Sequence, residues 1–403
     1  MSSPVRIKPD PSFVRELQAS GGDSVKKCYQ CATCSVACPL SPSENPYPRK
    51  EMIWAQWGLK DKLMNDIDVW LCHNCGTCSD LCPRGARPGD TLAAIRNMTY
   101  RKLVGPAIIG EWMSSCKGLP FLILIPAIIY GLIWIGLHGF NLPPEGKIVF
   151  GNLFPGDYTI DPIFGLVALF VLFTFYRGIT NIWKSFKALP ETFRIGEKYE
   201  KPSLIQAIID VVRYEIITHR KWNECGKDNS ERFKGHWSLL FAFVALAIVT
   251  SVVAVVHWGS KVPGLHWLED MGITPTPMHL WHPVKILAVV GMALGLYGLT
   301  LLTRRRLTQD TTKSASSYYD WYLLGVIWAV FVTGTASFLL RMAGVAGLAY
   351  PVYYLHLISV FMLIAYLPWS KLGHLVYRTT ALVYARMNGR LPLVRVEDKI
   401  FEI

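Results

Sequence analysis

Six uncharged apolar stretches of near membrane-spanning length constrain this 403-residue chain more than any other feature. They lie near Phe121 to His138, Pro162 to Tyr176, Trp237 to Val256, Ile286 to Thr303, Trp321 to Leu340 and Pro351 to Ser370. A helix rises about 1.5 Å per residue, so about 20 apolar residues cross the hydrocarbon core. The second run is short, but Gly178 to Trp183 extends it past Arg177, whose stem can reach the headgroups. The pattern predicts transmembrane helices at about 121–138, 162–183, 237–257, 285–303, 320–340 and 352–370. With 51% hydrophobic and 17% charged residues, a disordered chain is excluded.

The excess of 41 Lys+Arg over 29 Asp+Glu reads as membrane topology and needs no nucleic acid. Lys184 and Lys187, Arg232 and Lys234, Arg304 to Arg306, and Lys371 and Arg378 all abut helix ends on one side. Only Lys147, Lys261, Lys285 and Arg341 fall outside or at the opposite ends. The expectation is a multi-pass protein of the cytoplasmic membrane, in contact with lipid, with both termini facing the cytoplasm. Met1 to Lys27 is polar and lacks the apolar core of an export signal.

Before the first stretch the chain is rich in cysteine. Cys28, Cys31, Cys34 and Cys38 precede Pro39 in C-x-x-C-x-x-C-x-x-x-C-P, and Cys72, Cys75, Cys78 and Cys82 precede Pro83 in the same run. This is the [4Fe-4S] ligand run of two-cluster ferredoxins, in which the fourth cysteine serves the other cluster. The expected sets are Cys28, Cys31, Cys34 with Cys82, and Cys72, Cys75, Cys78 with Cys38. Structural zinc also uses C-x-x-C pairs, but it needs only four ligands in two pairs. Between the runs, Asn45 to Trp70 has helical spacing of apolar residues, and Thr91 to Leu103 reads as a helix with Asp90 or Thr91 as N-cap. The expected class is all-α: a helical ferredoxin domain over 1–110, then a six-helix membrane domain over 111–403. Cys116 and Cys225 read as free structural thiols.

Histidine inside a membrane is costly unless it faces the bundle and has a partner. His236 and His257 bracket the third predicted helix, and His356 and His374 the sixth. Their separations correspond to about 31 and 27 Å of helix rise and return to nearly one face. Antiparallel helices then set His236 opposite His374 on the cytoplasmic side and His257 opposite His356 on the outer side, the arrangement of two bis-histidine b haems. Interfacial histidines are the plainer alternative, and His282 rivals His257. No C-x-x-C-H occurs, which speaks against covalent haem. Lys285 stands at the outer mouth of the fourth helix, where it could donate to a quinone carbonyl or simply extend its stem to the headgroups.

The region from Cys28 through Pro83, with Asn45-Pro46-Tyr47-Pro48-Arg49 and Trp70-Leu71-Cys72, resembles the C subunit of heterodisulfide reductase. The remainder resembles the cytochrome b subunit of respiratory nitrate reductase and the membrane subunit of heterodisulfide reductase. The likeness is carried by Leu302-Thr303-Arg304-Arg305-Arg306, Tyr354-Leu355-His356 and Ser370-Lys371-Leu372-Gly373-His374, and His219 to His236 looks like the loop into the first haem-binding helix. One departure is that the nitrate reductase subunit sets its two ligands on the earlier helix much closer together than His236 and His257. The fusion of both parts resembles the membrane subunits of quinone-interacting oxidoreductases of sulfate-reducing bacteria. That resemblance implies two [4Fe-4S] clusters, two b haems and menaquinone as substrate. It also implies soluble flavin and iron-sulfur partners like the A subunit of heterodisulfide reductase, and adenylylsulfate reductase beyond them. No G-x-G-x-x-G and no evident flavin site occur, so the expectation is one subunit of an oxidoreductase complex. No Asp or Glu lies inside the six apolar stretches, which argues against a transporter. The partner could equally belong to a heterodisulfide reductase-like or sulfite-reducing complex.

Overall fold

A computed structural model describes residues 8–42, 45–139, 141–143, 146–188, 201–217, 230–274 and 276–390. Cys225 and His219 lie outside the described residues. The cysteine-rich region is built of short helices: α1 (Pro11–Leu17), α2 (Thr33–Ala37), α3 (Arg49–Gln56), α4 (Lys60–Asn65), α5 (Asp68–Leu71), α6 (Thr77–Asp80), α7 (Pro88–Leu103) and α8 (Ala107–Trp112). Then come α9 (Leu119–His138), α10 (Asp161–Lys187), α11 (Leu204–Val211), α12 (Ser230–Gly259), α13 (Pro283–Thr308), α14 (Tyr318–Met342), α15 (Ala346–Ala365) and α16 (His374–Met387). No strand occurs among the described residues.

Among the described residues, six helices are long and apolar enough to cross a membrane: Cys116–His138, Gly156–Lys187, Ser230–Gly259, Pro283–Thr308, Tyr318–Met342 and Ala346–Ala365. On α10, Leu166, Leu169, Leu172 and Phe173 are all exposed, as a lipid-facing side requires. The last span begins and ends earlier than its hydropathy predicts. Pro368 has no N–H to continue the helical ladder, and the helix stops at Ala365, where a 3-10 turn, Leu367–Trp369, leads towards α16.

The long helices pack in two groups. Helices α12, α13 and α14 share a small core of Ala242, Leu299, Leu324, Ile327 and Phe331. Gly295 lets α13 close on α14, since a Cβ there would meet Phe331 Cε1 at 2.0 Å. The other core gathers α9, α10, α15 and α16, and it continues without a break into the cysteine region. Trp70 of α5, Tyr100 of α7 and Tyr377 of α16 meet ring to ring at 5.7, 5.6 and 6.3 Å. Polar ties cross the same seam: Asn181 Nδ2 donates to Leu103 O at 2.9 Å, and Trp369 Nε1 to Val104 O at 3.2 Å.

Asp90 does not cap α7, which starts two residues earlier at Pro88 with Arg87 as N-cap. Proline is suited to a helix's first position because its missing N–H is not needed there. The Asp90 carboxylate instead accepts from Ala315 N at 2.9 Å and Ser314 Oγ at 3.3 Å. It thereby ties the loop between α13 and α14 to the cysteine region.

Candidate electron-transfer site

The two cysteine runs fold alike. Gln30 and Asn74 have φ of 64° and 51°, and Ala32 and Gly76 have φ of 68° and 94°. These left-handed residues throw the chain around the middle cysteines and start α2 and α6 immediately afterwards. Each turn carries a matching threonine, with Cys31 Sγ 3.3 Å from Thr33 Oγ1 and Cys75 Sγ 3.4 Å from Thr77 Oγ1. Helices α2 and α6 then pack against each other.

This packing brings the fourth cysteine of each run to the other run. Burial, and then the neighbouring Cys28, Cys31 and Cys82, push the Cys34 thiol up to about 11. Burial also pushes Cys38 up to about 12, with Cys72 and Cys75 adding to the rise. Burial raises Cys78 too, and Cys72, Cys75 and Cys38 contribute. The neighbourhoods are the crossed sets expected from the spacing. Four thiolates crowded in partial burial repel one another, so a bound cationic iron centre would favour the deprotonated ligands. The donor set fits one [4Fe-4S] cluster per neighbourhood.

The structure also brings His236 of α12 and His374 of α16 together, with ring centroids 6.4 Å apart and planes at 72°. Two imidazoles bound through about 2 Å metal–nitrogen bonds on opposite sides of one iron would have centroids about 6 Å apart. His374 Nδ1 donates to Lys371 O at 2.6 Å, which leaves Nε2 as the ring's acceptor. Burial pushes this imidazole down to about 4, so it is neutral and able to ligate. The pair lines a partly open cleft whose walls include Leu239, Phe243 and Leu382. The inner pair therefore fits a haem held by two imidazoles.

Sequence reasoning missed what lies beside this pair. His73, next to Cys72, lines the same cleft. Arg378, one turn along α16 from His374, donates to Trp70 O at 3.2 Å and His73 Nδ1 at 2.9 Å. Arg232, one turn before His236 on α12, donates to His73 O at 2.9 Å and Asn74 O at 2.7 Å. Arg96 of α7 completes the grip on Val69 O at 3.0 Å and Cys72 O at 2.7 Å. Each histidine helix thus holds the Cys72–Asn74 loop through an arginine four residues from its histidine. That i, i+4 spacing was visible in the sequence, but the two charges also read as ordinary helix-end cations.

The far side of the bundle is arranged differently. His356 lies mid-way along α15, where its Nδ1 is 3.0 Å from Thr333 Oγ1. That hydroxyl donates its proton to Ala329 O at 2.5 Å, so the ring donates and its Nε2 keeps the lone pair. Gly334 leaves room beside the ring, since a Cβ there would be 2.9 Å from His356 Cε1. His257 sits almost at the end of α12 and is turned to Asp157 and Lys261, the lysine 3.1 Å from its Nε2. The expected meeting of His257 and His356 is thus not formed: His257 lies two residues from its helix end, while His356 is ten residues inside its own. His282 is no substitute here, because it caps α13 through Nδ1 and Val284 N at 3.3 Å and places Nε2 3.0 Å from Met271 O. The far side does not fit a second bis-histidine haem. Lys285 stands in the first turn of α13 with Nζ 4.3 Å from the centre of the Phe338 ring.

Residues 24–86 match the family model described as 4Fe-4S dicluster domain, and residues 133–393 match that described as citrate utilization protein B. Over 89 residues the chain is 38% identical to the C subunit of the H(2):CoB-CoM heterodisulfide,ferredoxin reductase of Methanothermobacter marburgensis, covering 22% of this chain and 48% of that protein. The Methanothermobacter thermautotrophicus protein of the same name is equally similar. The iron-sulfur C subunit of the CoB–CoM heterodisulfide reductase of Methanopyrus kandleri is 38% identical over 79 residues, 20% of this chain and 41% of that protein. The chain thus spans about half the length of the curated relatives it matches or less, and no solved structure matches it. Its N-terminal region is homologous to the C subunit of heterodisulfide reductase, and by the match over well over half its length the chain belongs to the family described as citrate utilization protein B.

Proposed function

We propose that the protein is a membrane electron-transfer subunit that passes electrons between menaquinol and soluble flavin and iron-sulfur subunits. The observation that carries this reading is the His236–His374 pair, 6.4 Å apart, whose helices grip the Cys72–Asn74 loop through Arg232 and Arg378. Bound there, a b haem and two [4Fe-4S] clusters would supply the one-electron steps into which a quinol's two electrons are divided.

The residues of the chain do the rest. His236 and His374 would hold the haem, and the Lys371 carbonyl fixes the His374 tautomer that makes this possible. Cys28, Cys31, Cys34 and Cys82 would hold one cluster, and Cys72, Cys75, Cys78 and Cys38 the other. On the far side, Lys285 offers a cation that can donate a hydrogen bond to a quinone oxygen and favour its negative charge. Asp157 is the nearest carboxylate to His257 and could accept a proton through it. His356, with Nε2 available, is the remaining candidate ligand in that half.

In this reading the cysteine region faces the cytoplasm, in line with the helix-end lysines and arginines on that side. The fusion of a heterodisulfide reductase C-like region to a membrane domain supports a partner like the A subunit of heterodisulfide reductase, and adenylylsulfate reductase as the terminal acceptor in sulfate respiration. The names of the curated relatives favour a second reading, in which the terminal step is heterodisulfide-type chemistry.

The test is the visible spectrum of the purified protein before and after a menaquinol analogue, with no partner present. We expect low-spin b-haem bands that sharpen on addition of quinol. Haem absent from protein with intact clusters would sink the reading.

A further inference from the structure

The two cysteine sets differ in what surrounds them. Cys72 lies against the membrane domain: it lines one partly open cleft with His73, His236 and His374. Its loop is held by arginines from α12 and α16. The other set looks outward. Cys31 is exposed, and large apolar side chains beside its partners are exposed with it: Tyr29 68%, Val36 88% and Leu81 56%.

The rim of that apolar patch is cationic. Arg84 stacks on Tyr29 with its guanidinium carbon 4.0 Å from the ring centre and donates to the Tyr29 hydroxyl at 2.8 Å. Arg49 Nε donates to Gln30 O at 3.0 Å, and Lys26 and Lys27 are exposed in the turn that leads into Cys28. The acids nearby are engaged elsewhere. Asp80 pairs with Lys313 at 3.5 Å, and Asp23 with Arg87 at 2.5 Å. An apolar centre within a charged rim is the make-up of a transient protein interface. Fixed positive charge around it selects and steers a partner of opposite sign.

We propose that the Cys72 side receives electrons from the membrane domain, and that the surface around Tyr29, Val36 and Leu81 docks a soluble redox protein with an acidic rim. This rests on the electron-transfer reading above. Each transfer moves one electron from the reduced iron-sulfur site to the partner's flavin or iron-sulfur group, with no bond made or broken. The quinol supplies two electrons, which leave one at a time, and releases its two protons to water as it becomes the quinone.

The experiment uses full-length protein in lipid nanodiscs with an acidic flavodoxin as the probe. The protein is reduced in parallel by menaquinol analogue and by dithionite, and excess reductant is removed before mixing. Lys26→Glu combined with Lys27→Glu should slow the second-order reduction of flavodoxin at least tenfold at low salt, and the difference should vanish at high salt. Val36→Ser should slow it at every salt concentration. The Arg304→Glu control, an exposed cation at the end of α13, should match the wild type. Equal effects of the Arg304 and Lys26/Lys27 changes, or none from either, would overturn the proposed face. If quinol fails to reduce the protein while the dithionite-reduced samples keep this pattern, the electron source is wrong and the docking face stands.

Discussion

Arg390 sits fully buried just beyond α16 and donates to both oxygens of Asp68, at 2.6 and 2.7 Å, and to Asn45 O at 3.0 Å. Lys50 meets the same carboxylate at 2.7 Å and lies 3.2 Å from Glu51 and 3.6 Å from Asp66, so two cations serve three buried acids. Burial pushes Glu51 well above the usual carboxylate range, which lets it stay protonated and lowers the repulsion. Removing one partner of such a pair leaves a buried charge and costs about 3–5 kcal/mol. Arg390→Met should therefore lower the melting temperature of the cysteine region and bleach its iron-sulfur absorbance at a lower temperature. An unchanged melting curve would show that the network contributes nothing. His374 gives a pH prediction at the same scale. Its folded pKa is depressed to about 4 from an ordinary 6.5, so the unfolded chain takes up this proton first. The stability tied to its neutral form is complete above pH 6.5 and falls as pH drops towards 4. In cofactor-free protein the His374 ring should stay neutral at about pH 5.5 and take up its proton only near pH 4, read from its NMR titration; a midpoint near 6.5 would place His374 in water. The cysteine spacing leads to the crossed sets as an expectation, because ligand runs are local in sequence, and the neighbours of Cys34, Cys38 and Cys78 are compatible with it. Arg390 and Asp68, 322 positions apart, carried no such signal.

At the scale of elements, a histidine and an arginine one turn apart make α12 and α16 two arms of one clamp. The arginines are forked donors that meet backbone carbonyls, a geometry lysine cannot reproduce. Arg378→Lys should leave haem content and cluster signals in place but slow the passage of electrons from the membrane domain to the clusters about tenfold, measured by stopped-flow absorbance after quinol addition. His73→Phe should act in the same direction if the ring between the cleft and Cys72 contributes to the coupling. Rates equal to wild type in both would mean that the loop needs neither grip nor ring. The hydropathy pattern announced all six spans, yet it could not set the helix faces: the 3.6-residue period puts His257 and His236 near one side of α12 but says nothing of what stands opposite. Asp157, in the turn before α10, captures His257. Likewise α13 closes on α14 because Gly295 faces Phe331, a partner that the run of apolar residues does not name. Gly295→Ala should destabilise the bundle by about 1–3 kcal/mol, read as a lower melting temperature in nanodiscs, and Phe331→Leu in the same chain should restore part of it.

At the scale of the whole molecule, one hydrophobic core runs from Phe13 to Ala385 across the point where composition changes from polar and cysteine-rich to apolar. The sequence places that change near residue 110, because charge and cysteine content shift there, and composition carries no information on packing across it. Trp70, Tyr100 and Tyr377 meet at the seam, and burying each aromatic side chain contributes about 2 kcal/mol. Arg390, Arg378, Asn181 and Trp369 add buried polar ties from the membrane side. This continuity serves electron transfer, since a cluster on a swinging domain would hold no fixed distance to the histidine pair. Residues 1–113 made alone should therefore aggregate, because the faces of α5 and α7 that meet α16 would be exposed. Made in the same cell as residues 114–403, they should co-purify and remain bound in about 1 M salt, as an apolar seam with buried ion pairs resists screening. A soluble 1–113 fragment with both clusters and an unaltered melting temperature would show that the seam is a contact between independent domains and would remove the structural reason for a fixed electron path.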